Sequence, residues 1–268
     1  MVKGVSAKFK SYEETIPRFL KFIKFDQALK GRETIILKPT LRNTRTHNTP
    51  VAFAEEVLKF CQLHKDATAK IMIAEGSDGE ETMDVFDHAG YRRLAERSGV
   101  SLVDLNDAEV EEVHEGEFTR FVSIFYPKLL LNSYVIVLPR LGADDEVEMQ
   151  GALSSMLGAF PAAYYRGIFS STKSKIRRDP IKYAIHDILQ CKMPDAALID
   201  ASEYGLILAG KPLEIDKQAA RVMGKDWRSI QYIRLIDESF AQSFQAAQAR
   251  EVAKLARQAQ QTPAPTSP

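Results

Sequence analysis

The sequence predicts an α/β protein of three layers, αβα, with a mostly parallel sheet. Three observations carry this. Apolar runs without polar alternation recur at 34–37, 70–74, 100–105, 133–138 and 196–199, as expected of strands covered on both faces. Segments with helical apolar spacing lie between them, and strand, helix, strand in sequence is the unit of a parallel sheet. Several runs end on a charged residue, where a parallel sheet places its ligand sites.

Taken in order, residues 1–32 form an N-terminal helical segment. Ile16, Phe19, Leu20, Phe22, Ile23 and Leu29 fall near helical spacing, with Arg18, Lys21 and Lys24 between them. The first strand, Thr34 to Leu37, runs into Lys38 and Pro39. A polar loop with Arg42, Asn43, Arg45, His47 and Asn48 follows, and Thr49-Pro50 offers an N-cap and first position for a helix over 50–64. The second strand ends in Glu75-Gly76-Ser77-Asp78-Gly79, where small residues let backbone donors approach a ligand. One helix is expected over 82–98, then a strand ending near Asp104 and Asn106. Residues 107–117 carry six carboxylates without an apolar period and read as an exposed loop, with a short edge strand within 118–126. The strand at 133–138 is closed by Pro139 and Arg140, and a helix is expected over 151–158.

The stretch 161–179 is the least regular. It mixes Tyr164, Tyr165 and Phe169 with Arg166, Lys173, Lys175, Arg177 and Arg178. That pattern suits single-stranded nucleic acid, but no RNA-binding signature accompanies it, so a solvated lid loop is the preferred reading. Helices over 180–191, 213–223 and 227–240 and strands at 196–199 and 204–208 complete a domain over 33–240. A helical extension and a disordered tail are expected over 241–268.

The 36 Lys and Arg balance 36 Asp and Glu, so net charge gives no argument for nucleic acid as a partner. The N-terminus MVKGVSAKFK lacks an apolar core and no apolar run reaches membrane-spanning length, which predicts a cytoplasmic protein without a membrane partner. Cys61 and Cys191 stand alone, so no iron–sulfur cluster is expected. No P-loop, GxGxxG, GxSxG or HExxH pattern is present. His47 is a candidate base in the first loop, whereas His186, between Ile185 and the following apolar residues of a helix, reads as a packed histidine.

Lys38, Glu75, Asp104, Arg140 and Asp200 stand at the strand ends and are expected on one rim. Lys38 and Arg140 suit a phosphate or carboxylate, and Glu75, Asp104 and Asp200 suit a divalent cation or acid–base work. Thr40 and Ser77, in the adjoining loops, complete the candidate ligand-binding set. A small anionic molecule, with or without a divalent cation, is one expectation. The other is a structural ion-pair network in a binding or scaffold protein, whose protein partner would meet the 164–178 loop or the C-terminal helix.

The segments ILKPTL (36–41), IAEGS (73–77), AGYRRLAERSGVSLVDLN (89–106), VIVLPRL (135–141), MQGALSSMLG (149–158), LIDA (198–201) and LAGKPLEIDKQAARVMG (208–224), in this order and spacing, resemble the bacterial and archaeal family called domain of unknown function 362. The resemblance implies the same α/β fold. Family members usually read Lys-Pro-Asn after the first strand, and here Lys38 and Pro39 match while Thr40 replaces the amide. The family's Pro-Lys-Leu-Lys-Thr-His becomes Pro139 to Asp144 without its lysine pair or its histidine, and its Gly-Ala-Leu-Lys-Asn becomes Gly151 to Ser155 without its lysine. Many relatives carry a ferredoxin-like cysteine cluster, which is absent here, so the resemblance implies a diverged member.

Overall fold

The structure is a computed structural model, and it describes residues 4–242. Of the expected extension and tail over 241–268, residues 243–268 lie outside the described residues.

The chain opens with strand β1 (Gly4–Lys8), helices α1 (Tyr12–Phe22) and α2 (Phe25–Ala28), and β2 (Thr34–Pro39). Next come α3 (Val51–His64), β3 (Lys70–Glu75), α4 (Thr82–His88), α5 (Tyr91–Ser98) and β4 (Ser101–Asp104). Two small strands, β5 (Val110–Val113) and β6 (Ile124–Pro127), precede α6 (Lys128–Leu131), β7 (Tyr134–Leu138) and the hairpin β8 (Gly142–Asp144) and β9 (Glu148–Gln150). A 3-10 turn at Ser154–Ala159 and α7 (Ala162–Tyr165) lead through a second 3-10 turn, Ser174–Arg177, to α8 (Ile181–Cys191), β10 (Ala196–Ala201), β11 (Leu206–Gly210), α9 (Pro212–Val222) and α10 (231–242).

Seven strands form one mixed sheet in the order β1-β11-β10-β7-β2-β3-β4. The five from β10 to β4 are parallel, and β11 and β1 add antiparallel at one edge. Side chains alternate across the sheet, so β2 sends Ile35 and Leu37 into a core beneath α1, α3 and α5 and Ile36 into the opposite core beneath α8 and α9. Both faces are covered, which is why the central strands read as unbroken apolar runs.

Several expectations are corrected. The N-terminal segment is not only helical, because β1 closes the sheet edge against β11 in the register Gly4↔Gly210. The helix over 82–98 is two helices, broken at Gly90, which turns the chain at φ +82°. The acidic stretch is not wholly a loop. Val110–Val113 pairs with Ile124–Pro127 as a separate two-stranded sheet, so the expected edge strand lies off the main sheet. The helix over 151–158 is a 3-10 turn, and the last predicted helix is a 3-10 turn at Trp227–Ser229 followed by α10. Among the described residues no helix is long and apolar enough to cross a membrane.

Candidate functional site

The parallel strands β2 and β3 pair as Leu37↔Ile73, so Lys38 and Glu75 emerge together at the carboxyl rim. Both are buried. Lys38 Nζ donates to Glu75 Oε1 at 2.9 Å and Oε2 at 3.1 Å and to the Ser155 carbonyl at 2.6 Å. Glu75 also accepts from the backbone N–H of Gly76 at 2.8 Å and of Leu41 at 3.3 Å. Three donors on the lysine meet three acceptors, so the pair is closed on itself and on backbone, the condition under which a buried ion pair is tolerated.

Two glycines make room for it. A Cβ on Gly158 would lie 1.9 Å from Glu75 Oε1 and 2.9 Å from Lys38 Nζ, and one on Gly76 would lie 2.4 Å from the Gly158 carbonyl oxygen. The 3-10 turn at 154–159 therefore lies directly on the pair.

Lys173 is the second buried ammonium, and it comes from the irregular stretch expected to be a solvated lid. That expectation is corrected: Ala162, Tyr165, Lys173 and Ile176 are all buried. The tip projects furthest, with Ile168 and Phe169 exposed, and Tyr164, Arg166 and Arg178 are exposed on either side of it. The Lys173 backbone N–H donates to Asp78 Oδ1 at 2.7 Å, and Nζ donates to the carbonyls of Gly76 at 2.8 Å and Gly158 at 3.3 Å. Among the described residues it has no carboxylate within 4.0 Å, unlike Lys38. Burial pushes its pKa down to about 8, against the pull of the nearby Glu75 and Asp78 charges.

Lys173 lines a cleft with about 560 Å³ of empty space including its mouth, of which about 60 Å³ is open to the centre of a water molecule. Leu41, Val147, Leu157 and Ile176 form the apolar wall, and Thr40, Gln150 and Glu75 add polar atoms. Thr40 Oγ1 and Gln150 Oε1 are buried and, among the described residues, have no hydrogen-bond partner. An unmade bond in a buried polar group costs about 1–3 kcal/mol, so two such atoms on one cleft call for a partner, whether water or a ligand.

A ring of charges closes the mouth. Arg42 pairs with Asp144 at 3.2 Å and with Glu146, and Arg177 pairs with Asp78 at 2.6 Å and with the same Glu146. Burial alone would raise the Asp144 pKa, but the N–H groups of Val147 and Glu146, the Gln150 amide and Arg42 outweigh it and hold it below the usual carboxylate range.

The seven sequence-chosen residues divide. Glu75 and Thr40 line the cleft, and Lys38 lies behind it against Glu75. Ser77 is buried behind it, its Oγ donating to the Leu41 carbonyl at 2.7 Å. Asp104, at the sheet edge, accepts from Thr82 Oγ1 at 2.7 Å and from Asn106 N–H at 2.8 Å, and burial raises its pKa. Arg140 and Asp200 bridge through backbone on β7 and β10, yet their side chains part: Arg140 pairs with Glu203 at 2.6 Å, and Asp200 accepts from Tyr12 at 3.0 Å. Strand termini share a rim, and Glu75 and Asp104 are register partners on β3 and β4, but β7 and β2 lie between β10 and β3, so Asp200 does not join them. Among the described residues no three His, Cys, Asp or Glu side chains gather as a metal-binding group.

The first polar loop spends its donors internally. Arg42 N–H donates to Asn48 Oδ1 at 3.1 Å and Asn48 Nδ2 to the Asn43 carbonyl at 2.8 Å, and His47 is exposed outside the cleft lining. Thr49 does not cap α3. It accepts from Thr40 N–H at 2.9 Å and donates to the Leu138 carbonyl at 2.5 Å, tying the loop to β7. His186 is packed as expected, against Asp187 at 2.7 Å and Ser239 at 2.9 Å. Arg42, Asp78, Asp144, Gln150, Lys173 and Arg177 were absent from the sequence-chosen set. Their one advance signal was an excess of charge in loops following strand ends.

This is an α/β protein with a strand-end cleft walled by a non-regular segment. The chain belongs to the family described as Domain of unknown function (DUF362), whose model matches residues 35–221. Among solved structures, the lactate racemase apoprotein from Thermoanaerobacterium thermosaccharolyticum is similar, with a TM-score of 0.55 and 14% sequence identity. The match covers 84% of this chain and 58% of that one, and at this identity it shows the fold alone. A comparison with curated proteins finds no match.

Proposed function

We propose that the protein binds a small anionic molecule in the cleft between β2, β3 and the 154–177 segment, with Lys173 as the anion contact. The observation that supports this is a buried ammonium with one N–H unspent after its two carbonyl bonds, on the same cleft as the unpartnered Thr40 Oγ1. A buried charge without a carboxylate beside it is costly, and a ligand oxygen at that position offsets the cost. Lys38 and Glu75 act one step back, holding the backbone of Gly76 and Ser155 beside the carbonyls to which Lys173 is anchored. The reading carries no metal, since Asp200 lies strands away from Glu75 and Asp104 and the three carboxylates make no common group among the described residues. Thermal melts with acetate and with inorganic phosphate test it. A concentration-dependent rise in melting temperature that Lys173→Met abolishes is expected; no rise with either anion would refute it.

A second reading, docking of a protein partner on the 164–178 loop, is favoured by the exposed Ile168 and Phe169. Replacing both with serine would leave anion binding intact and abolish any such association.

A further inference from the structure

Gln150 narrows the ligand. Its Nε2 donates to Asp144 Oδ2 at 3.2 Å, and an ionised carboxylate can only accept, so the amide cannot be turned round without losing that bond. Oε1 is therefore fixed as the atom without a partner, buried on the cleft wall. A carbonyl oxygen only accepts. Whatever satisfies it must bring an O–H or N–H.

The opposite requirement comes from Lys173, whose remaining N–H needs an acceptor, and Thr40 Oγ1 can serve either part. One small molecule meets both needs when it carries an anionic group and a donor, since Lys173, Thr40 and Gln150 line the same cleft. The donor is a hydroxyl in preference to an ammonium. A cationic donor would need a carboxylate, and those at the mouth, Asp78 and Asp144, are already engaged by Arg177 and Arg42. Asp144 is also saturated by the N–H groups of Glu146 and Val147. Resting on the anion-binding reading, we infer that the cleft selects small hydroxy carboxylates over their deoxy counterparts, with the carboxylate on Lys173 and the hydroxyl donating to Gln150 Oε1.

The test is calorimetric titration of the full chain with matched pairs, glycolate against acetate and lactate against propionate, with glycine and inorganic phosphate alongside. Each hydroxy acid is expected to bind at least about tenfold more tightly than its deoxy partner, because a ligand lacking the hydroxyl leaves Gln150 Oε1 unpaired. Glycine is expected to bind no better than acetate. In Gln150→Leu the preference should fall to about twofold or less while acetate still binds. Equal binding of the members of a pair, a preference for glycine, or a preference that survives in Gln150→Leu would overturn the inference and leave the anion site standing. Absence of binding by every anion would instead remove the anion site, and this inference with it. The wild-type ratios decide the matter even if the variant does not fold.

Discussion

Lys38 and Glu75, neighbours on β2 and β3, form an ion pair in which neither side chain has meaningful access to solvent, at 0% and 3% exposure. Every lysine donor is used, on the carboxylate and on the Ser155 carbonyl. The pair is therefore part of the platform of the site, and its disruption is a stability event. Lys38→Met or Glu75→Gln alone should destabilise by about 3–5 kcal/mol, since each leaves a buried partner uncompensated. The double variant Lys38→Met/Glu75→Leu should recover about half or more of that loss. Urea unfolding of the three variants measures this; single variants within about 1 kcal/mol of wild type would contradict it.

Gly158 owes its identity to that pair. Gly158→Ala puts a methyl group where Glu75 Oε1 stands, and should cost about 2 kcal/mol or more through forced displacement. Gly116→Ala meets nothing within 4 Å and should change stability by no more than about 0.5 kcal/mol. Equal melting temperatures for the two variants would show that the turn at 154–159 gives way without strain.

Lys173 makes the stability of the native protein depend on alkaline pH. Its native pKa is about 8, against an ordinary 10.5. Between these values the unfolded chain holds a proton that the native chain does not, so this lysine makes stability rise with pH across that window. The full effect is on the order of 3 kcal/mol. In denaturation at pH 7.5, 9 and 10.5, the difference between wild type and Lys173→Met should move in favour of wild type as pH rises. The same deprotonation should weaken anion binding above about pH 8. A pH-independent difference between the two proteins would mean that Lys173 is not a buried charge.

The 161–179 segment should resist proteolysis at its cationic residues and yield at its tip. Lys173 is buried and Arg177 is held by Asp78 and Glu146, whereas Phe169 is fully exposed. Chymotrypsin should cut first after Phe169, and trypsin should be slow at Lys173 and Arg177. Arg177→Ala, by releasing two carboxylates, should speed tryptic cleavage at Lys173 severalfold. Early tryptic cuts at Lys173 in the wild type would show that the anchor is loose.

The comparison of sequence with structure turns on particular residues. Ile35, Ile36 and Leu37 declared a strand buried on both faces, since a polar residue there would have had no solvent side, and the same reasoning located β3, β7 and β10. Order along the chain made them parallel, so sequence alone puts Lys38, Thr40 and Glu75 at one end of the sheet. Antiparallel β1, in contrast, was hidden in a short run, Gly4 to Lys8, whose pairing with β11 joins residues some 200 positions apart. Gly90 signalled freedom but not that a helix would break there.

The candidate site divides along the same line. Strand-end position is a local property, and it was enough to find Lys38 and Glu75. Which strand ends lie side by side is not local: strand order put β7 between β2 and β10 and sent Asp200 to Tyr12 instead of to the cleft. Lys173 was the furthest from reach. Nothing in Ser-Thr-Lys-Ser distinguishes a solvated lysine from a buried one. Only the packing of the 154–177 segment over Gly76 and Gly158 removes water from its ammonium, leaves Thr40 Oγ1 and Gln150 Oε1 without partners, and so creates the cleft.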